Sequence, residues 1–338
     1  MSRSMLKTIS LSALAFGIIV LCALVCLMLG RYPIALEDIL TLFVGTQSHI
    51  ESNPTYAMIL LEFRLPRVLL ALFVGAGLSI SGCAFQNLFR NPLASPDILG
   101  VTAGASFGAV LALLLGLGVL WVSFFGFLSG LIALLLVVAV SYDKMMPYNT
   151  LTMILSGIII AALFQSLVSL IKYLADPQDT LPTITYWLLG SLDSTFSLQM
   201  WLGIAGISLG SVVLFCLRWK LNILTLDDDE AKSLGVNLNA LRLVVVLAST
   251  LIVACAVGLC GIIGWIGLLI PHIARLFVGN ENAKLVPLSM FIGALFLMIV
   301  DTFSRTISHE QIPISILTAL IGAPFFIYIL YKNKGLRL

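Results

Sequence analysis

The chain has 338 residues, of which 60% are hydrophobic and only 10% are charged, and its mean hydropathy is +1.11. Soluble domains carry about 25% charged residues, so a soluble fold is excluded because this chain cannot cover itself with a water-compatible surface. The formal net charge of +2 indicates no particular partner. The composition predicts an all-α polytopic membrane protein, and we expect residues 1–338 to form a single transmembrane domain.

Apolar runs of about 20 residues, the length that crosses a bilayer as a helix, recur along the chain. The first run is too long for the hydrophobic region of a signal peptide, and no small-residue cleavage site follows it, so we expect a retained helix. The runs predict ten membrane-spanning helices, at about 9–30, 67–86, 98–116, 119–140, 149–172, 196–216, 241–260, 263–277, 285–304 and 314–331.

The positions of the basic residues predict the orientation. Ten crossings place both termini on one side, and most of the arginines and lysines fall on that side. Cytoplasmic loops carry the excess of positive charge, so we expect both termini in the cytoplasm. The residues that carry this argument are Arg3, Lys7, Arg90, Lys144, Arg218, Lys220, Arg242, Arg275, Lys332, Lys334 and Arg337.

Three arginines break this pattern because they fall on the outer side: Arg64, Arg67 and Arg305. Either their long side chains extend from helix ends to the interface, or they form a positive patch for an acidic docking partner. Asp301 is the only carboxylate well within an apolar run, and we expect it to pair with Arg305 four residues later. Ion-coupled secondary transporters need several buried ligands near the midplane, and their scarcity here argues against that class.

The longest polar segment on the predicted cytoplasmic side is residues 217–241. Thr225 or Asp227 can cap a short helix whose acidic first turn favours the positive helix end. Gly235 is placed to end that helix. A solvated acidic loop would explain the same pattern, whereas a metal site is disfavoured because no other residue with ligand character lies nearby.

Several motifs indicate packing rather than chemistry. Gly261, Gly264 and Gly267 recur every third residue and predict close helix approach, and Pro271 is expected to break the eighth span near the inner face. Six cysteines lie inside apolar runs without metal-ligand or disulfide spacing, so we expect no metal site.

No catalytic machinery is visible in the sequence. No phosphate-binding G-x-x-x-x-G-K-[ST] loop is present, and three scattered histidines assemble no acid–base pair, so we do not expect an enzyme. Energy for transport must come from another subunit or from an ion gradient.

The sequences of several segments resemble those of the FecCD family. Its members are the permease subunits of binding-protein-dependent ABC importers for iron chelates, haem and cobalamin. The likeness covers about residues 55–335 and includes the D-x-x-x-R ending of the ninth span. The matching segments are RLPR at 64–67, NPLA-x-P at 91–96, EA-x-x-LG at 230–235 and GLLIPHIAR at 267–275.

The resemblance implies a type II ABC importer permease in a bacterial inner membrane, with spans 2–5 and 7–10 as inverted repeats. It implies a homodimer, two ABC ATPase subunits on the cytoplasmic side and a periplasmic or lipid-anchored substrate-binding protein outside. ATP and Mg²⁺ would be held by the ATPases, so no cofactor is expected in this chain, and no nucleic acid. The ATPases would engage Asp228, Asp229, Glu230, Ala231, Leu234 and Gly235.

The remaining roles carried by the resemblance are docking and gating. The binding protein would dock on Arg64, Arg67 and Arg305. The inner gate would be formed by Asn91, Pro92 and Leu93, with Asn149 and Thr150 opposite. The substrate class implied is metal-containing, as an iron-siderophore, haem or cobalamin, while an oxyanion such as molybdate or tungstate stays open. An ion-coupled secondary transporter is the alternative class.

Overall fold

The structure is a computed structural model that describes residues 3–44, 54–142, 150–308 and 310–334. Within these ranges the chain is helical and contains no strand. The α-helices are α1 Arg3–Met28, α2 Leu36–Val44, α3 Pro54–Leu88, α4 Val101–Leu114, α5 Val119–Ser141, α6 Thr150–Leu174, α7 Thr180–Leu188, α8 Leu198–Cys216, α9 Asp228–Ser233, α10 Leu238–Cys260, α11 Ile266–Val278, α12 Asn282–Thr306 and α13 Ile314–Lys334. Ile59–Arg64 within α3 is π-helical, and Pro96–Leu99 and Lys220–Thr225 are 3₁₀-helices.

The predicted spans all fall on apolar helices. In the described ranges, 6 helices are long and apolar enough to cross a membrane, namely α3, α5, α6, α8, α10 and α12. The remaining four predicted spans coincide with α1, α4, α11 and α13, whose apolar parts are shorter. The all-helical membrane fold is therefore confirmed, whereas ten crossings remain a prediction.

Two helix starts differ from the sequence prediction. The second span was expected to begin at 67, but α3 begins at Pro54 and passes through the π-helical segment. From the sequence alone, Asn237 to Leu241 can begin a second short helix, but Asn237 instead caps the long α10, its side-chain oxygen accepting from the Ala240 N–H at 3.0 Å. The cap satisfies an N–H at the helix start, and no proline interrupts residues 238–260, so one helix runs through this range.

Helix α3 forms the centre of the fold, with 78% of its most apolar window buried. Small residues bring its neighbours close: a Cβ at Gly82 would overlap the Gly267 carbonyl group of α11, and one at Gly75 would overlap the Gly293 carbonyl group of α12. In a membrane, such close backbone contact replaces hydrophobic driving force as the source of helix association.

Two short helices follow breaks in the chain. After α3, the chain turns through the 3₁₀-helix and Gly100, whose φ is +71°, into α4 of 14 residues. After α10, it turns at Gly261, whose φ is +69°, and continues into α11 of 13 residues. A long helix followed by a short one thus occurs in both halves of the chain, and the inverted repeats remain a prediction.

Candidate functional site

Helix α9 has the local structure that the sequence predicts. Asp227 holds the N-cap position with extended backbone, although its side chain accepts no capping hydrogen bond within the described residues, and Asp228, Asp229 and Glu230 occupy the first turn. Gly235 follows the helix with φ of +71°, a left-handed conformation that glycine adopts without the strain of a Cβ. The acidic first turn complements the positive end of the helix.

Asp228 fastens α9 to two other parts of the fold. Its Oδ1 accepts hydrogen bonds of 2.7 Å from Arg90, just after α3, and of 2.7 Å from Arg242 in α10. Partial burial alone would raise the pKa of Asp228, but the hydrogen bonds and positive charges of Arg242 and Arg90 outweigh it and lower that pKa below its ordinary value. The carboxylate therefore stays ionised at neutral pH and joins α9 to α3 and α10.

The faces of α9 differ sharply in exposure. Ala231 is fully buried against the membrane helices, whereas Asp229 and Glu230 are exposed. Leu234, which follows the helix as its C-cap, is 59% exposed. The anchored helix therefore offers an apolar side chain that a protein partner could remove from water.

The predicted gate loop lies directly after the arginine that binds α9. Arg90 has φ of 49° and donates from Nε to the Leu224 carbonyl at 3.0 Å. The following Asn91 accepts on Oδ1 from the Leu93 N–H at 2.9 Å, which fixes a tight turn, and Asn91, Pro92 and Leu93 are exposed. The predicted gate loop and α9 are thus linked through the Arg90 side chain.

The second half of the predicted gate is only partly described. Asn149 lies outside the described residues, and Thr150 begins α6. Farther along, α6 packs against the 3₁₀-helix that follows the first gate segment: a Cβ at Gly157 would overlap the Ile98 carbonyl group. Thr150 thus begins a helix that contacts the segment just after Asn91–Leu93.

A buried chain of asparagines lies behind α9, and it was not predicted from the sequence. Asn87 of α3 and Asn282 of α12 exchange two side-chain hydrogen bonds of 2.9 and 3.0 Å. Asn222 of the 3₁₀-helix before α9 accepts on Oδ1 from both the side chain and the backbone N–H of Asn282, at 2.8 and 3.1 Å. In the sequence, Asn87 and Asn282 each stand at one end of a long apolar run, and this position is the signal that could have indicated the pair.

Pro271 does not break the eighth span, contrary to the prediction, because α11 continues through it. A proline inside a helix leaves the carbonyl four residues earlier, here that of Gly267, without its N–H partner. Gln86 of α3 donates from Nε2 to the Gly267 and Leu268 carbonyls at 3.4 and 3.3 Å, and its Oε1 accepts from Arg275. A neighbouring helix thus supplies the missing donor, as membrane helices with proline require.

The three glycines predicted for packing behave differently. Gly267 lies against Gly82 where α11 packs on α3. A Cβ at Gly261 would overlap the Trp187 carbonyl oxygen. Within the described part of the protomer, a Cβ at Gly264 would meet nothing within 4 Å, which contradicts the packing role predicted for this glycine. The reason is that residues 261–265 are not helical, and the spacing of three therefore does not place the glycines on one face.

A cavity of about 240 Å³ lies between the 3₁₀-helix Pro96–Leu99, α10 and the non-helical turn before α11. Asp97 is its one ionisable lining residue among those described, and it accepts hydrogen bonds from Thr102 and, at 3.4 Å, from Ser95. This carboxylate was not predicted from the sequence because it stands at the edge of an apolar run. Within the described residues, no group of three His, Cys, Asp or Glu is placed to hold a metal ion.

Two of the outer arginines, Arg67 and Arg305, converge on one carboxylate at the other end of α3. Asp301 accepts on Oδ1 from Arg67 Nε and NH2 at 3.1 and 2.8 Å, and on Oδ2 from Arg305 Nε at 3.1 Å. The predicted Asp301–Arg305 pair is therefore confirmed, and Arg67 is a further partner. Arg67 also donates to Gln311 at 2.8 Å and lies 3.7 Å from the exposed Asp193.

The same arginines hold the end of α1. Arg64 donates to the Leu27, Met28 and Tyr32 carbonyls, and Arg305 NH2 donates to the Cys26 carbonyl at 2.7 Å. The Cys26, Leu27 and Met28 carbonyls are among the last of α1, which a helix C-terminus leaves without intrahelical partners, whereas Tyr32 lies in the loop that follows. The guanidinium charge favours that negative helix end.

The burial of the outer arginines differs from both sequence interpretations. Arg64, Arg67 and Arg305 are 5%, 4% and 8% exposed in the protomer. They form neither an interfacial fringe of extended side chains nor an exposed positive patch. The physical reason is that Asp301 and the α1 carbonyls together satisfy the guanidinium groups inside the fold.

The geometry is that of an all-helical membrane protein with an anchored contact helix at one end and a buried charged cluster at the other. The sequence matches the FecCD transport family over residues 18–332, and the chain belongs to that family. It is therefore a permease of the ABC importer type, a transport component of machines that also contain ATPases and binding proteins.

Individual relatives agree in length as well as in sequence. The chain is 40% identical over 319 residues to the molybdate import system permease protein MolB of Haemophilus influenzae, covering 94% of each. It is 38% identical over 320 residues to a protein of Helicobacter pylori named probable iron chelatin transport system permease protein, covering 94% of this chain and 96% of that one. A solved structure described as an inward-facing metal-chelate type ABC transporter matches with a TM-score of 0.84 and 40% identity, over 95% of this chain and 99% of that chain.

Proposed function

We propose that this chain passes a metal-containing substrate, of the iron-siderophore, haem or cobalamin class, across a bacterial inner membrane. It crosses the membrane ten times with both termini in the cytoplasm, and two copies enclose the pathway. Two ABC ATPases bind on the cytoplasmic side and hold ATP and Mg²⁺, so this chain carries no cofactor and catalyses no reaction itself. A periplasmic or lipid-anchored binding protein delivers the substrate from outside.

The observation that carries this proposal is the anchoring of α9. Closure of two ATPases can move membrane helices only through a stiff connection, and a flexible acidic loop would absorb the motion. Asp228 is bonded to α10 through Arg242 and to the end of α3 through Arg90. Ala231 is buried while Leu234 is exposed, so the helix is fixed on one side and available to a partner on the other.

The coupling role of α9 is tested with Leu234→Glu in the complex of permease and ATPases in proteoliposomes. We expect ATP hydrolysis to continue while substrate uptake per ATP falls, because a charge at the apolar tip disrupts the contact without touching the core. Leu115→Glu is the matched control, since Leu115 is 60% exposed, close to the 59% of Leu234, but lies at the opposite end of the fold. Equal effects of the two substitutions would contradict the coupling role.

The docking of the binding protein on Arg64, Arg67 and Arg305 is part of the same proposal. Arg67 and Arg305 share one buried carboxylate, Asp301, while Arg64 is bonded to backbone carbonyls, so this cluster of side chains carries an excess of positive charge that acidic residues of a partner can complement. Because the side chains face inward in the protomer, docking requires part of their bonding to α1 to be exchanged for the partner. Binding affinity of Arg64→Gln at low and high salt tests this, and unchanged affinity at both would contradict it.

For the inner gate we propose Asn91, Pro92 and Leu93 on one side and Asn149 and Thr150 on the other. Support comes from the exposure of the first three residues and from Arg90, which binds α9 and precedes them directly. Movement of α9 would therefore displace the gate loop. Disulfide trapping of Leu93→Cys with its counterpart in the second copy, with and without ATP, tests the gate; ATP-independent trapping would refute it.

The substrate class is the most detailed part of the proposed function. The relatives at 40% and 38% identity are named for molybdate and for an iron chelatin, and these identities do not separate the two cargoes. Among the described residues, the cavity with Asp97 offers no positive group to either kind of cargo, and we propose the chelate class because the matching solved structure is described as being of the metal-chelate type. The ligand affinity profile of the cognate binding protein, measured for chelates and for molybdate and tungstate, decides between them.

A further inference from the structure

The asparagine chain behind α9 suggests how the coupling helix reaches the rest of the fold. We propose that Asn222 is a positioning residue that transmits displacement of α9 to α12, and through Asn282 and Asn87 to α3. This inference rests on the proposed coupling function and adds a second route to it, separate from the ionic route through Asp228. No motif in the sequence marks these three residues.

The first link of this route joins the 3₁₀-helix Lys220–Thr225 to α12. The 3₁₀-helix is held rigidly, because Leu221 and Leu224 are 0% and 2% exposed. From it, Asn222 Oδ1 accepts two hydrogen bonds from Asn282, one from the backbone N–H and one from the side chain. Asn282 is the first residue of α12, so Asn222 satisfies an N–H that the helix itself leaves without a partner.

The second link joins α12 to α3. Asn87 and Asn282 are 5% and 0% exposed and bond reciprocally, each amide donating to the other's oxygen. Buried amides are costly to leave unpaired, so the two helix ends must move together or lose both hydrogen bonds. Asn87 also donates at 2.7 Å to the Cys83 carbonyl of its own helix, which fixes its side-chain position.

The route of hydrogen bonds ends beside the proposed gate loop. Asn87 stands three residues before Arg90, which leads into the proposed gate loop, and α12 carries Asp301 at its other end. At 1.5 Å per residue, the 20 residues from Arg67 to Asn87 extend for about 30 Å, the thickness of the hydrocarbon core. The coupling segment is therefore bonded to the inner ends of three long helices, α3, α10 and α12.

Asn222→Ala is the test, in the reconstituted complex of permease, ATPases and binding protein. It removes the acceptor for both Asn282 donors and leaves α9 and the Asn87–Asn282 pair intact. We expect substrate uptake per ATP to fall by about tenfold, the equivalent of ~1.4 kcal/mol, which is of the order of one or two hydrogen bonds. The matched control is Thr225→Ala, because Thr225 bonds only within the same 3₁₀-helix among the described residues.

Asn222→Asp separates positioning from simple stability. Within the described residues Asn222 bonds to Asn282 through its side-chain oxygen alone, so aspartate keeps the acceptor and we expect it to restore uptake per ATP. A fall in thermal stability with unchanged uptake per ATP would overturn the proposal, as would failure of aspartate to rescue. If Leu234→Glu uncouples transport and Asn222→Ala does not, this inference fails while the coupling role of α9 stands; if Leu234→Glu has no effect, the coupling role itself fails.

Discussion

Asp301 holds the outer end of the fold together, and its replacement by asparagine should be strongly destabilising. The carboxylate is 1% exposed and accepts from Arg67 and Arg305, which are themselves buried. An asparagine at this position would keep the shape of the side chain but leave two guanidinium groups without a counter-charge. Removing one partner of a buried ion pair costs about 3–5 kcal/mol, because the remaining charge stays desolvated.

This cost can be converted into a measurable shift. An unfolding entropy of about 2 cal/mol/K per residue gives ~0.7 kcal/mol/K for a chain of this size, so Asp301→Asn should lower Tm by about 4–7 °C. The assay is thermal unfolding of the purified protein in detergent. Asp193→Asn is the control: Asp193 lies 3.7 Å from the same arginine but is 63% exposed, so its pairing should contribute less than about 1 kcal/mol. Equal shifts for the two variants would refute the reasoning.

Three further predictions concern the inner half of the fold. The pKa of Asp228 is lowered below its ordinary value of 3.8, so its ion pairs should stabilise the fold wherever the carboxylate is ionised. The free energy of unfolding of wild type should therefore exceed that of Asp228→Asn by a constant amount from neutral pH to about pH 4, and the difference should vanish as pH falls further. A difference already lost at about pH 6 would contradict the ion pairs. Gly82→Ala should prevent assembly of α3 with α11, judged by yield and monodispersity, whereas Gly264→Ala should behave as wild type, since a Cβ there meets nothing within 4 Å. Gln86→Leu should destabilise by about 1–3 kcal/mol because it removes the donor to the Gly267 carbonyl that Pro271 leaves free, and Pro271→Ala in the same chain should recover part of that loss.

The features that could be predicted from the sequence are those that depend on neighbours along the chain. Apolar runs indicated the positions of the helices because each crossing needs its own length of apolar residues. The acidic first turn of α9 and the glycine after it are likewise local, as is the pairing of Asp301 with the arginine four residues later. Each of these follows from backbone hydrogen bonding or from i,i+4 spacing.

The features that could not be predicted depend on residues far apart in the sequence. Arg67 meets Asp301 across 234 positions, and Asn87 meets Asn282 across 195. No sequence periodicity indicates such pairs. The sequence therefore did not predict that the fold buries the outer arginines. The packing prediction for Gly264 was wrong for a different reason: a regular spacing of glycines indicated a helix face where the chain is not helical.

The central claim is that transport through this chain is driven by ATP hydrolysis on partner subunits that act on α9. The most direct measurement is substrate uptake into proteoliposomes that contain the chain alone or with its ATPases and binding protein, each with and without a proton or sodium gradient. We expect uptake only in the complete complex, dependent on ATP, unaffected by the gradients and lost in Leu234→Glu. Uptake by the chain alone that follows an ion gradient would contradict the claim and establish a secondary transporter instead.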